Sequence, residues 1–388
     1  MALRSELEVR FIVGLVCLLS IVAILIDAFE AVLLPRRVSH GFRFLRFFYR
    51  HTWQAWRRLV ACIPSPRRRE TFLSLFGPLA LLVLLCTWAI GLIVSFAFFH
   101  WSLRTPMLPG ATALPPGGYL YFSGVTFFTL GYGDLTPAGE LGRFLAVVET
   151  GLGFGFLAMI ISYHPVLTQA FSRREIVISL LDARGGSPPT ACQILIRSRN
   201  ARPQEALASE LAAWETWSAE LLENCLSFPM LAYYRSQHDN QSWLAALTAI
   251  LDTCALQICG VGCANPHQAR LTFAIARHAA VDLTLVFKIT PLPPDLDRLS
   301  PDVLQRLQDA LNADEICFPE GTNTVAKLAV LRGMYEPFVN GLAAYFLFKL
   351  PDFIPARQTA DNWQTSSWMP RTPGIRELPQ LEPGDHFE

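Results

Sequence analysis

Hydrophobic positions come in long, almost unbroken runs over the first 170 residues and at intervals of three and four thereafter. The runs are Val9 to Leu34, Phe72 to Trp101 and Leu141 to about Val166. Each exceeds the roughly 20 residues a helix needs to cross a hydrocarbon core of about 30 Å, so each predicts a membrane span. The second would be about 45 Å long as a straight helix, which predicts tilt or projection beyond the bilayer. The first has no small-residue cleavage pattern after a short apolar core and reads as a retained anchor. Between the second and third spans, Pro106, Pro109, Gly110, Pro115, Pro116, Gly117 and Gly118 interrupt regular structure. Tyr119 to Phe128 then has the length of a short helix that re-enters from the same face. Non-helical backbone at membrane depth is tolerated only where protein buries it or water bathes it, so the segment after this helix predicts a lined pore.

From Phe171 onward the trains of Ala, Leu and Trp predict a helical core. Arg173 to Arg184 reads as a short helix broken by Gly185-Gly186-Ser187-Pro188-Pro189. Further helices are expected at Pro203 to Leu226, Ser242 to Cys259, His267 to Phe287, Pro301 to Asn312 and Thr324 to Leu350. Leu285 to Ile289 is the best strand candidate. The chain thus divides into an N-terminal span (1–35), a basic linker (36–70), a span–loop–span unit (71–170), a mainly helical domain (171–355) and a loose tail (356–388) rich in Pro, Gly and charge. The fold class is all-α membrane protein with a soluble C-terminal domain.

Composition agrees: 52% of the 388 residues are hydrophobic and only 16% charged. The formal net charge of zero hides an asymmetry, since residues 1–170 carry a balance of +6 and residues 171–388 one of −6. Arg36, Arg37, Arg43, Arg46, Arg50, Arg57, Arg58, Arg67, Arg68 and Arg69 lie between the first two spans with only Glu70 opposing them. The positive-inside rule makes this linker cytoplasmic, the N-terminus external, the re-entrant loop open to the outside and the C-terminal domain cytoplasmic. The expected location is the plasma (cell inner) membrane. Within the linker, Arg43, Arg46, Arg50, Arg57 and Arg58 recur at helical spacing opposite Leu45, Phe48, Trp56 and Leu59. A helix of that kind suits the membrane surface and anionic lipid, and the same arginines equally serve to fix topology. No nucleic-acid partner is expected.

Candidate chemistry concentrates in Thr129-Leu130-Gly131-Tyr132-Gly133-Asp134, preceded by Thr126-Phe127-Phe128. Handing a dehydrated cation to a column of backbone carbonyls requires successive C=O groups turned the same way. Alternate residues must then adopt dihedrals that glycine reaches cheaply, and Gly131 and Gly133 are spaced accordingly. This hexapeptide resembles the selectivity filter of the potassium channel superfamily, in a one-pore-loop subunit, over residues from about 72 to 168.

The resemblance implies that Thr129, Leu130, Gly131, Tyr132 and Gly133 bind K+ as the permeant ion, with no organic cofactor. Leu130 replaces the usual valine, Phe128 stands where many members have a second threonine, and Val125 stands where some have a glutamate that pairs with the aspartate after the filter. Tyr121, where a tryptophan often sits, is expected to bond Asp134 instead. Thr126 and Glu149 complete the expected support, Glu149 either as a polar strut to the pore helix or as a protonated, inert group. In the inner helix, Gly153 is nearest the family's hinge position, with close packing as the other reading. Phe154, Leu157, Ile161 and Pro165 share a face suited to a hydrophobic gate, and His164 is expected to mark the helix end, with sensing of cytoplasmic pH as the other reading.

A single filter motif predicts a homotetramer, since a fourfold pore needs four loops. The first span has Asp27 and Glu30 near its inner end, expected beside Arg36 and Arg37, and no repeated arginines, so strong voltage gating is not expected. Gating is expected at the cytoplasmic side. Cys254, Cys259, Cys263 and His267 lack the tight C-x-x-C spacing of zinc knuckles, and Gly260-Val261-Gly262 does not continue as a dinucleotide loop. The alternatives left open are a less selective cation channel, on account of Leu130 and Phe128, and a receptor or enzyme with a non-conducting pore-like domain. No catalytic constellation favours the enzyme.

Overall fold

A computed structural model describes residues 2–32, 44–186, 188–199, 203–236, 241–262, 265–293, 297–319 and 322–355. The order of elements is α1 (Ala2–Val32), α2 (Phe44–Ala61), α3 (Pro66–Ser102), β1 (Met107–Leu108), α4 (Pro116–Phe127), β2 (Thr136–Pro137), α5 (Glu140–Gly185), α6 (Ala191–Arg199), α7 (Pro203–Ser227), a 3-10 turn (Pro229–Tyr233), α8 (Trp243–Ile258), α9 (His267–Val286), α10 (Pro301–Ala313), α11 (Thr322–Gly333) and α12 (Glu336–Phe346). The chain forms two compact units, one of Met1–Cys62 with Leu75–Thr168 and one of Ile63–Ser74 with Gln169–Glu388. Three helices, with apolar stretches in Ser5–Ala31, Arg68–Ser102 and Glu140–Gly185, are long and apolar enough to cross a membrane.

In the first unit, α1 packs on α3 because small residues let the helices approach. A Cβ added at Gly91 would lie 2.8 Å from Ile24, and one at Gly14 would lie 2.8 Å from the Ser102 hydroxyl. Asp27 accepts a 2.9 Å hydrogen bond from Trp88 Nε1, so its carboxylate is used to hold α1 to α3. Arg36 and Arg37, the neighbours expected to neutralise it, lie outside the described residues. Ile21, Ala89, Leu92, Ile93, Phe96 and Phe127 form a core joining α1, α3 and the end of α4. A second cluster of Ala97, Met107, Tyr119 and Phe122 seats the start of α4.

The turret is more ordered than its prolines and glycines predict. Met107 pairs with Pro137 and Leu108 with Thr136 in a two-residue antiparallel ladder. The segments before α4 and after the hexapeptide are thereby tied together. In α2 the aromatic face turns onto protein: Trp53 is 1% exposed and its ring lies 4.8 Å from Phe76 of α3. Arg50 and Arg58 are exposed and Arg57 is half-buried, whereas Phe47 and Leu59 remain exposed. Arg43 and the side chain of Arg46 lie outside the described residues.

Helix α5 corrects the expected end at His164 and Pro165, for it continues to Gly185. Proline removes one backbone donor, yet a long helix bears one such loss when its flanking turns hold. Here Ser162 and Thr168 hydroxyls donate to the carbonyls of Ala158 and His164 at 2.9 Å each.

The second unit is built around α8, whose sixteen residues are all buried. A helix apolar on every side belongs in the middle of a core, and α6, α9, α11 and α12 surround it. Ser242 caps it by accepting from Ala245 N at 3.0 Å. Leu285 to Ile289 is not a strand: α9 runs to Val286 and Lys288 turns the chain with φ 52°. The expected helix from Thr324 to Leu350 is two, α11 and α12, separated at Met334 and Tyr335, with Leu347 ending α12 at φ 58°. Helix α6 was not expected from the sequence.

Candidate functional site

Helix α4 starts on prolines, which supply a fixed φ and need no amide donor in the first turn. It ends at Phe127, where Phe128 N donates to Gly124 O at 3.1 Å and Thr129 N to Thr126 O at 3.0 Å. Leu130 N then returns to Val125 O at 2.9 Å. Beyond this the hexapeptide leaves the helix in an alternating backbone: Thr129 has φ 58°, Gly131 φ 59° and Gly133 φ 78°. Alternation between left- and right-handed or extended residues is what turns successive carbonyls to one side. The sequence pointed to the two glycines. That Thr129 takes the same angle was not legible, because for a β-branched residue this region is an outlier costing roughly 1–3 kcal/mol. Every residue from Thr129 to Asp134 is exposed in the single protomer.

The carboxyl end of α4 points at this segment, and its partial negative charge favours a cation there. Tyr121 on α4 donates to Asp134 Oδ2 at 2.9 Å, bracing the outer end of the hexapeptide. Thr126 is half-buried in the last turn of α4.

Behind α4 the inner helix makes two close contacts. Gly153 lies where an added Cβ would sit 2.0 Å from the Phe127 carbonyl oxygen, so the glycine is what lets α5 touch the end of α4. Glu149 is fully buried and hydrogen-bonded to Ser123, whose hydroxyl also lies 2.8 Å from Ile93 O on α3. His100 of α3 is equally buried, and its Nε2 faces Glu149 Oε2 at 4.0 Å. Its Nδ1 is 3.0 Å from Thr105 Oγ1, and its ring stacks parallel to Tyr119. Neither His100 nor Ser123 was singled out from the sequence. The only available signal was a histidine and a serine on helices whose surroundings are apolar.

Phe154, Leu157 and Ile161 are 67, 54 and 64% exposed and follow one another along one side of α5, with Pro165 also exposed. Of the sulfur-and-histidine group in the second unit, Cys254 is buried inside α8, Cys259 caps its end and His267 begins α9. Cys263 lies outside the described residues. Burial pushes the Cys254 thiol well up, which disfavours the thiolate a metal would need.

Residues 82–167 match the family described as "Ion channel". The chain is 30% identical over 200 residues to "Uncharacterized membrane protein YdjJ" of Bacillus subtilis (strain 168), a match covering 50% of this chain and 57% of that protein. It is 46% identical over 43 residues to "Protein LctB" of Geobacillus stearothermophilus, covering 11% of this chain and 31% of that protein. The chain therefore spans less than two thirds of either relative. No solved structure matches it.

Proposed function

From a pore domain of the potassium-channel superfamily at residues 82–167 of a membrane protein, we propose that this chain is one subunit of a homotetrameric, potassium-selective channel. Four copies of Thr129 to Gly133 surround one axis and present their carbonyls to dehydrated K+ passing down its gradient. The observation that carries this is the alternation of positive φ at Thr129, Gly131 and Gly133 directly after a helix whose carboxyl end faces them. The exposure of the whole segment in one protomer fits a surface that three further copies cover.

The filter opens to the outside, with the N-terminus external and the linker and C-terminal domain in the cytoplasm of a cell inner membrane. Exposed Phe154, Leu157 and Ile161 line the inner pore, where a ring of apolar side chains closes conduction by dewetting. Gating lies at this cytoplasmic side and is not strongly voltage-dependent, since α1 carries no row of gating arginines. Arg50, Arg57 and Arg58 on α2 meet anionic lipid headgroups.

The test is ion flux from liposomes holding the purified chain. K+-selective flux blocked by barium and abolished by Gly131→Ala is expected. Equal K+ and Na+ permeability in reversal-potential measurements would replace the reading by a general cation pore, and flux unaffected by Gly131→Ala would remove these residues from conduction.

A further inference from the structure

The buried groups behind α4 form a line that crosses three helices. Thr105 follows α3, His100 lies near its end, Glu149 is on α5, Ser123 is on α4, and Ile93 returns the line to α3. Their hydrogens can be counted. The Ser123 hydroxyl has one proton and lies within bonding distance of both the Ile93 carbonyl and Glu149 Oε1. The carbonyl only accepts. Both contacts are therefore made when Ser123 donates to Ile93 O and the Glu149 carboxyl, protonated, donates to Ser123. Glu149 Oε2 then has only acceptor capacity and faces His100 Nε2. At 4.0 Å the two atoms stand beyond hydrogen-bond reach and neither has another partner, but a proton on Nε2 sets a donor dipole against the acceptor and leaves Nδ1 to accept from the Thr105 hydroxyl at 3.0 Å. The group dipoles then point the same way, from Thr105 through His100 and across the 4.0 Å gap to Glu149, Ser123 and Ile93. No net charge is buried, which is the cheap solution for groups with no exposure.

We propose that His100 is a positioning residue for ion selection: with Glu149 it forms a neutral polar relay that locks α4 between α3 and α5 and so fixes the hexapeptide at its end. The relay also reaches the outer rim, because the Tyr119 hydroxyl donates to Thr105 O at 2.6 Å while accepting from Leu114 N at 3.2 Å. The proposal rests on the potassium-filter reading above.

Side-chain length separates the contacts. Asn at position 100 reproduces only the Nδ1 position, whereas Gln reproduces only the Nε2 position that faces Glu149. Reversal potentials of the full-length channel in mixed K+ and Na+ are therefore compared for His100→Asn, His100→Gln, Glu149→Gln, Glu149→Ala and Ser123→Ala, with assembly followed by size-exclusion chromatography. Permeability ratios about tenfold lower are expected for Glu149→Ala and Ser123→Ala, the size of one lost buried hydrogen bond, and a smaller reduction for His100→Asn, which loses the 4.0 Å approach to Glu149. Glu149→Gln should stay near wild type, because an amide at 149 donates to Ser123 and accepts from residue 100 just as the neutral acid does, and His100→Gln, which keeps the group facing Glu149 but loses the Thr105 bond, should select better than His100→Asn.

Equal behaviour of His100→Asn and His100→Gln, or an unchanged ratio in Ser123→Ala, overturns the role of the relay. A Glu149→Gln channel as impaired as Glu149→Ala overturns its neutrality in favour of an ion pair. Should the position 100 variants fail to assemble, Ser123→Ala and the two Glu149 variants decide the matter. A wild-type protein that passes no K+ is the separate failure of the filter reading.

Discussion

Thr129, Gly131 and Gly133 adopt the same left-handed φ, yet only two of them can do so without strain. At Gly131 an added methyl has space, with nothing within 4 Å, so the cost of alanine there is conformational, about 1–2 kcal/mol per subunit. Gly153 is the reverse case: its helical backbone accepts alanine, but the Phe127 carbonyl 2.0 Å away does not. Gly153→Ala should push α5 off the end of α4 and abolish selective flux. Gly151→Ala and Gly155→Ala, with nothing within 4 Å in the protomer, should conduct. Flux through these three variants in one liposome assay checks the contrast, and a conducting Gly153→Ala would show that the close approach is dispensable. The positive φ at Gly131 and Gly133 was legible because that backbone region demands the residue type. A strut from Glu149 to the pore helix and close packing at Gly153 were among the readings of the sequence, but their partners, Ser123 and the Phe127 carbonyl, were not, since a packing contact depends on what the next helix brings opposite.

At the scale of elements, the second unit is closed by ion pairs more than by caps. Arg298 bonds both oxygens of fully buried Asp252 at 2.9 Å, Glu336 at 3.0 Å and Pro351 O at 2.8 Å. Tyr335 also donates to Asp252, and Phe353 lies under the guanidiniums of Arg298 and Arg332. These contacts strap the segment after α12 to α8. Asp252→Ala should destabilise the unit by about 1.5–3 kcal/mol, because it removes both carboxylate bonds to Arg298 and the Tyr335 bond and leaves Glu336 alone to face the guanidinium. Loss of a cooperative thermal transition in tryptophan fluorescence would register it; an unchanged transition would refute the strap.

Acid should loosen the same place. Burial pushes the Asp297 carboxyl up, but its hydrogen bond from Arg332, together with Leu299 N and the nearby Arg298 charge, holds it below the usual range. A depressed carboxylate contributes stability that is present above its unfolded value near 4 and is lost as pH falls through the lower folded value. The transition midpoint should therefore drop below about pH 4, and Asp297→Asn should flatten that drop. Helix positions in this unit were legible from apolar spacing and turn residues. The division into α11 and α12 was not, because Met334 and Tyr335 are themselves compatible with helix and the break serves the burial of Tyr335 against Asp252.

For the whole molecule, the two units make opposite demands on the same residue types. Apolar side chains on α1, such as Phe11 at 75% exposure and Leu7 at 66%, face outward, whereas those of α8 face only protein. Thiol reactivity should follow. Cys62 and Cys317 are exposed, whereas burial pushes Cys192 up to about 11 and Cys225 up to about 12. Alkylation at neutral pH in detergent should modify the first two and spare the second pair until the unit is denatured; early labelling of Cys225 would contradict its place in the core. Chemical cross-linking of liposome-embedded protein should stop at four subunits.

The sequence by itself determined the three spans, the re-entrant helix, the hexapeptide and the helical character of the rest, because each follows from local rules: span length, proline and glycine punctuation, side-chain period and the dihedrals glycine permits. The tertiary structure alone decided which helix surfaces meet, that α5 runs through Pro165, that the turret is tied to the chain after the hexapeptide, and that His100, Glu149 and Ser123 converge behind α4. Those outcomes join residues far apart in the chain, and a buried polar group finds its partner only when packing has chosen its neighbours.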